Sequence, residues 1–167
     1  KNGSQFTGEL LRNSIHNYGS LIFADGRKYV GEFSGEEMCG YGVLEWKFDD
    51  FHHDENNICR YKGTFFKNMF HGRGLLEFWG GGCYEGGFEY GLYHGLGEFT
   101  FGVDRNSSNS LSCSDSEKKF NGVSSDDNSE KLILHSYTGE LQEGQMSGKG
   151  TLKFMDGSYY EGGFFIC

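Results

Sequence analysis

The sequence predicts an all-β protein of the repeat type, built from successive β-hairpins. Three observations predict it. Of 167 residues, 28 are glycine, none is proline, and alanine occurs once, at Ala24. A chain that nearly lacks the best helix former and is rich in one of the worst is no helical bundle. Glycine does not recur at every third position, which excludes a collagen-like triple helix. Second, a Tyr-x-Gly-x-Phe pattern recurs, and Phe6 to Tyr29, Tyr61 to Tyr84 and Tyr137 to Tyr160 are each 23 residues apart. Third, apolar and polar residues alternate within each copy with period two, which is strand behaviour.

Taken in order, the first unit pairs Phe6-Thr-Gly8-Glu-Leu10 with Asn17-Tyr-Gly19-Ser-Leu21-Ile-Phe23, where Asn17 stands in a position that is glycine elsewhere. The second pairs Tyr29-Val-Gly31-Glu-Phe33 with Gly40-Tyr-Gly42-Val-Leu44-Glu-Trp46. Tyr61-Lys-Gly63-Thr-Phe65 and Gly72-Arg-Gly74-Leu-Leu76-Glu-Phe78 form the third. The fourth is Tyr84-Glu-Gly86-Gly-Phe88 with Gly95-Leu-Gly97-Glu-Phe99-Thr-Phe101. The fifth is Tyr137-Thr-Gly139-Glu-Leu141 with Gly148-Lys-Gly150-Thr-Leu152-Lys-Phe154, and Tyr160-Glu-Gly162-Gly-Phe164 opens a sixth. In each first block Tyr, Gly and Phe share a face; in each second block both glycines, the Leu and the Phe or Trp are expected to share it. The opposite face carries Val30, Glu32, Glu45, Lys62, Glu77, Glu85, Glu98, Glu140 and Lys153 and is largely acidic. Asp25-Gly26, Gly81-Gly82 and Asp156-Gly157 supply turns between units, and glycines on the aromatic face leave room for a ring to lie on bare backbone.

These motifs resemble the MORN (membrane occupation and recognition nexus) repeat, close to Y-x-G-x-[FW]-x-x-[GN]-x-x-x-G-x-G-x-[LF]-x-[FWY]-x-x-G. The resemblance covers five complete units and the first strand of a sixth. It implies an elongated, single-layer, twisted antiparallel sheet of successive MORN β-hairpins, in which eleven strands would extend on the order of 50 Å. Phe6 and Asn17 depart from the pattern, as a capping unit would. The organisation expected is repeats 1–4 over residues 1–101 with a short insertion at about 47–60, a flexible Ser/Asn/Asp-rich insertion over 102–136, and repeat 5 with the first strand of repeat 6 over 137–167. Both insertions fall between a unit's second strand and the next hairpin, so both leave the same long edge of the sheet. Lys1 stands where an initiator methionine would, as in a piece of a longer chain, and the array is expected to continue past Cys167.

Catalytic signatures are missing. There is no phosphate-binding G-x-x-x-x-G-K-[ST] loop, no G-x-S-x-G, and Glu85 stands where a dinucleotide fingerprint needs its third glycine. His52-His53-Asp54-Glu55 is the nearest approach to a metal site, but adjacent residues on an extended segment point apart. His16, His71 and His94 recur at one position of three units and read as turn-supporting side chains. No catalytic residue, metal or cofactor is expected. The five cysteines lack a C-x-x-C pair, and no signal peptide precedes them, which fits reduced thiols in the cytosol. Ser112, Ser114 and Ser124 each have an acidic residue three positions on, the spacing that acid-directed kinases accept.

The formal net charge of -9 repels phosphate backbones and anionic headgroups, so nucleic acid is excluded as a partner and membrane disfavoured. The aromatic face comprises Tyr29, Phe33, Trp46, Tyr61, Phe65, Phe78, Tyr84, Phe88, Phe101, Tyr137, Phe154 and Tyr160. These rings form the core, yet a single-layer sheet has no second layer to cover them, so some are expected to contact a partner. The partner expected is a protein helix or extended segment of basic character, or a second copy of the chain. By resemblance, the array is expected to be a non-enzymatic scaffold of the cytoplasm, in a cytoskeletal or ciliary assembly such as the axonemal radial spoke. The alternatives are attachment to membranes or phosphoinositides, and a regulatory array within a larger enzyme or GTPase exchange factor.

Overall fold

The computed structural model describes residues 3–11, 14–47, 58–102 and 133–165. They form eleven strands: β1 (Gln5–Leu11), β2 (Ser14–Ile22), β3 (Lys28–Ser34), β4 (Glu37–Glu45), β5 (Ile58–Phe66), β6 (Met69–Phe78), β7 (Cys83–Glu89), β8 (Leu92–Thr100), β9 (Leu134–Gln142), β10 (Gln145–Phe154) and β11 (Tyr159–Phe164). All eleven join one sheet in chain order. Every pairing is antiparallel, and no helix is present among the described residues. Five hairpins and one further strand are what the repeat predicts. β5 and β9, the strands that follow the two insertions, begin three residues ahead of Tyr61 and Tyr137, whereas β3 and β7 begin one residue ahead of Tyr29 and Tyr84.

One row of backbone defines the register. Gly8, Gly19, Gly31, Gly42, Gly63, Gly74, Gly86, Gly97, Gly139, Gly150 and Gly162 pair successively across all eleven strands. A tyrosine ring lies over the glycine pair within each of the second to fifth hairpins. A Cβ on Gly42 would come within 2.5 Å of the Tyr29 ring, and one on Gly74 within 2.5 Å of Tyr61. That is far inside van der Waals contact, so the row admits no side chain. The expected packing of rings on bare backbone is present in every unit from the second to the sixth.

Beyond this row each hairpin changes register. Gly31 faces Gly42, yet Phe33 faces Met38, leaving Glu32 alone opposite Cys39, Gly40 and Tyr41. The other hairpins shift at the same place. Such bulges bend the strand pair, and they bring the tip residues Phe33 and Met38 into one core with Tyr29. The bulge demands a left-handed residue, supplied by Gly40, Gly72, Gly95 and Gly148 with φ between 57° and 71°. Asn17 takes the role in the first hairpin with φ 60°, asparagine being the side chain that best tolerates this region. This corrects the face assigned from alternation: a Cβ on Gly40 would meet the Glu32 carboxyl carbon at 2.6 Å, not a ring. Strict period two fails where residues are inserted.

The turns between units use the residues anticipated, with φ of 87° at Gly26, 82° at Gly81 and 86° at Gly157. The tips of the second to fifth hairpins are two-residue turns, and Lys67-Asn68, Tyr90-Gly91 and Glu143-Gly144 have positive φ at both positions, the type I′ signature. Each tip hangs on the previous one: the N–H groups of Asn68, Gly91 and Gly144 donate to the carbonyls of Met38, Phe70 and Tyr93 at 3.1, 2.8 and 3.0 Å. Both insertions join the opposite edge. The readings made for His52–Glu55, for the serines of the long insertion and for its mobility lie outside the described residues.

Candidate functional site: the inner aromatic face

The tyrosines are the keystones of the inner face. Tyr29, Tyr61, Tyr84 and Tyr137 are completely buried. Each phenol donates to the backbone carbonyl three residues on: Tyr29 to Glu32 (2.8 Å), Tyr61 to Thr64 (2.9 Å), Tyr84 to Gly87 (2.9 Å) and Tyr137 to Glu140 (2.7 Å). In the second to fourth hairpins that carbonyl belongs to the residue left unpaired across the bulge, and in the fifth to Glu140 at the bulge's edge; a carbonyl partly shielded from water needs a donor. The requirement explains tyrosine rather than phenylalanine at this position. From the same residue a side chain closes the far side of the bulge: the Glu32 carboxylate accepts the Tyr41 N–H at 2.9 Å and the Glu140 carboxylate accepts the Lys149 N–H at 3.1 Å. Burial pushes the phenols of Tyr29, Tyr61 and Tyr137 up and that of Tyr84 up to about 12, because the ionised form would lose its water.

The phenylalanines stitch units together. Phe65 lies edge-on to both Tyr61 of its own unit and Tyr29 of the preceding one, at 5.0 Å each. Phe88 repeats this with Tyr84 and Tyr61 at 5.2 Å, and Phe164 with Tyr160 and Tyr137 at 5.5 and 5.2 Å. Edge-on pairs at this separation contribute about 0.5–1.5 kcal/mol beyond burial. At the fifth unit the position is Leu141, so the chain of rings breaks between Tyr84 and Tyr137.

Of the twelve rings singled out in the sequence, seven are therefore enclosed by the array itself: the four tyrosines above and Phe33, Phe65 and Phe88. Trp46, Phe78, Phe101 and Phe154 are half-buried on the inner face towards the insertion edge, and Tyr160 is 47% exposed. Phe23 occupies the equivalent position in the first unit, with the Arg27 guanidinium 5.0 Å from its ring centre. The alternating pattern did not single out Phe70 and Tyr93 at the hairpin tips, which pack on Tyr61 and Tyr84 at 3.9 and 4.5 Å. Their signal is the position directly after the first residue beyond each tip turn.

On the outer face Lys28, Glu45, Arg60 and Glu77 alternate in sign across four paired strands, and Arg60 bonds Glu77 at 2.5 Å. Glu85 faces Glu98 directly, a like-charge pair. His71 supports a turn as anticipated, its Nδ1 accepting the Tyr90 N–H at 3.5 Å, and His94 lies 3.5 Å from the Glu89 carboxylate. Among the described residues no three His, Cys, Asp or Glu gather as a metal site would require. Cys39, Cys59 and Cys83 are free thiols.

The sequence profile of the MORN repeat matches residues 6–26, 29–47, 61–78, 84–103 and 137–159. Among curated proteins, the ALS2 C-terminal-like proteins of Mus musculus and Homo sapiens are each 32% identical to this chain over 100 residues, covering 55% of the chain and 9% of the relative. The chain thus spans less than a tenth of the length of these relatives.

Proposed function

Because the chain belongs to the MORN-repeat family, we propose that it is a non-catalytic scaffold that holds a protein partner on the inner face of its sheet. The observation that carries this reading is the set Phe23, Trp46, Phe78, Phe101 and Phe154, one half-buried ring from each hairpin. Rings at this depth offer apolar area without having to leave the core. A helix or extended segment lying along the array would meet one ring per hairpin, and the formal net charge of -9 favours a basic partner. The glycines that a phosphate-binding loop would use are committed to the row beneath the tyrosines. A cytoplasmic, cytoskeletal or ciliary assembly of the radial-spoke kind is the setting proposed.

Cross-linking mass spectrometry in cytosolic and ciliary extracts, with anionic liposomes as a parallel bait, tests this. The expected result is cross-links from the chain to one defined partner segment, lost on Trp46→Ala/Phe78→Ala, with no liposome binding. Salt-sensitive liposome binding without protein cross-links would sink the reading in favour of headgroup attachment. The small share of its relatives that the chain covers supports a second reading, an array regulating an enzyme or GTPase exchange factor within one polypeptide. Cross-links confined to other parts of the full-length protein would favour it.

A further inference from the structure

The hairpin tips form a second surface, on the edge opposite the insertions, and they are not alike. The second and fifth tips carry Ser34, Glu36, Glu37, Gln142, Glu143 and Gln145, all exposed and polar. The third and fourth tips between them carry Phe66, Met69, Tyr90 and Leu92, which are 42%, 37%, 57% and 50% exposed. None of these four is required by the core, since polar residues occupy the same positions in the neighbouring hairpins. Their rings nevertheless cluster: Phe66 and Tyr90 lie 6.4 Å apart, with His71 5.5 and 5.4 Å from each. The hydrogen bonds from tip to tip make the four tips one continuous ridge. Of the charged residues on it, Glu36, Glu37, Glu89 and Glu143 are acidic, and Lys67 lies 5.4 Å from the centre of the Phe66 ring.

We propose that this ridge docks an amphipathic helix of another protein whose apolar stripe is flanked at both ends by lysine or arginine. Adjacent tips are two strands apart, about 9.6 Å, and two turns of helix advance about 10.8 Å. A helix laid along the ridge sets residue i on Phe66 and Met69 and residue i+7 on Tyr90 and Leu92. One further step either way reaches Glu36 and Glu37 at one end and Glu143 at the other, where cations complete the match. The same acidic ends disfavour the other occupants: a second copy would set glutamates against glutamates, and an anionic membrane would be repelled. This surface is separate from the inner face and does not depend on it.

The probe is a labelled synthetic helix with leucines on one face and lysines at both ends, titrated by fluorescence anisotropy against the whole chain. Met69→Gln/Leu92→Gln places on these tips the residue that Gln145 already supplies in the fifth hairpin, so an unchanged melting curve is expected alongside a loss of affinity of about tenfold or more. A control helix with glutamates in place of the lysines is expected not to bind. Equal affinity for the two helices, or no change in the double variant, would overturn the proposal. So would binding abolished by Trp46→Ala/Phe78→Ala instead, which would place the helix on the inner face and leave the scaffold reading intact. Binding of neutral phosphatidylcholine vesicles that disappears in the double variant would assign the ridge to membranes and also overturn it.

Discussion

Tyr84–Phe88 and Tyr160–Phe164 are the same five amino acids, Tyr-Glu-Gly-Gly-Phe, in different surroundings. The first lies in β7, paired on both sides, and the second in β11, which among the described residues pairs with β10 alone. Tyr84 is completely buried among Phe88, Tyr93 and Phe99, whereas Tyr160 is 47% exposed and touches Phe164 at 5.5 Å. The phenol bond persists in both but lengthens from 2.9 to 3.3 Å. Local sequence therefore writes the strand, the ring over glycine and the hydroxyl contact. Enclosure comes from the strand that follows, β8, which completes the hairpin and brings Tyr93 and Phe99 against the Tyr84 ring.

The largest effect expected separates the two copies at their central glycine. A Cβ on Gly86 would lie 2.6 Å from the backbone of Gly97 as well as from the Tyr84 ring, while at Gly162 the contact is with the Tyr160 ring. Gly86→Ala should cost about 3 kcal/mol in urea unfolding, and Gly162→Ala less than about 1, because an exposed ring can swing aside. Equal losses would show that the edge ring is as fixed as the interior one.

Alkaline pH tests the same contrast. Burial raises the folded-state pKa of Tyr29, Tyr61, Tyr84 and Tyr137 above the ordinary 10.0. The unfolded chain thus loses these protons first, so stability is level below the ordinary pKa and falls as pH rises past it. For Tyr84 the fall continues to about pH 12, where the folded phenol ionises too. Each such tyrosine adds a slope of up to about 1.4 kcal/mol per pH unit. Denaturant titrations across this window should show a shallower fall in Tyr84→Phe than in the parent chain.

At neutral pH the hydroxyl itself is the next lever. Tyr84→Phe strands the Gly87 carbonyl in the core and should lower stability by about 1 kcal/mol, while Tyr160→Phe should cost only a few tenths, about 0.3. Thermal melts of both variants measure the difference. Smallest is the outer face: Glu85 opposes Glu98, whereas Glu161 opposes Thr151. Glu85→Lys should stabilise by about 0.5 kcal/mol and Glu161→Lys should be neutral. A gain from both would point to overall charge rather than cross-strand pairing.

Most of the architecture was legible because the repeat writes it many times. Tyr, Gly and Phe at period two give the strands, and their recurrence gives the chain-order sheet. The bulge was not legible, since Gly40 and Gly42 look alike in sequence while one bends the chain and the other underlies a ring. Asn17 was the clue: asparagine replaces glycine where the backbone is left-handed, not where a ring must lie flat. The site was readable as a face but not as a surface. Which of twelve rings remain open depends on tips curled in by the bulges, a long-range effect that alternation cannot carry. Phe66, Met69, Tyr90 and Leu92 were passed over because they fall outside the repeating pattern.

The unbroken row of glycines also dictates a grammar of length. Removing or adding one residue within a strand would slide its neighbours by one position and bring a Cβ beneath a ring on both flanks. Whole hairpins, by contrast, can be added or dropped without moving any other glycine off the line. Length can otherwise vary freely only in the links between hairpins, and there the two long interruptions, after Trp46 and after Phe101, are found. The row works as a keyway: the array tolerates growth by complete teeth and rejects fractions of one.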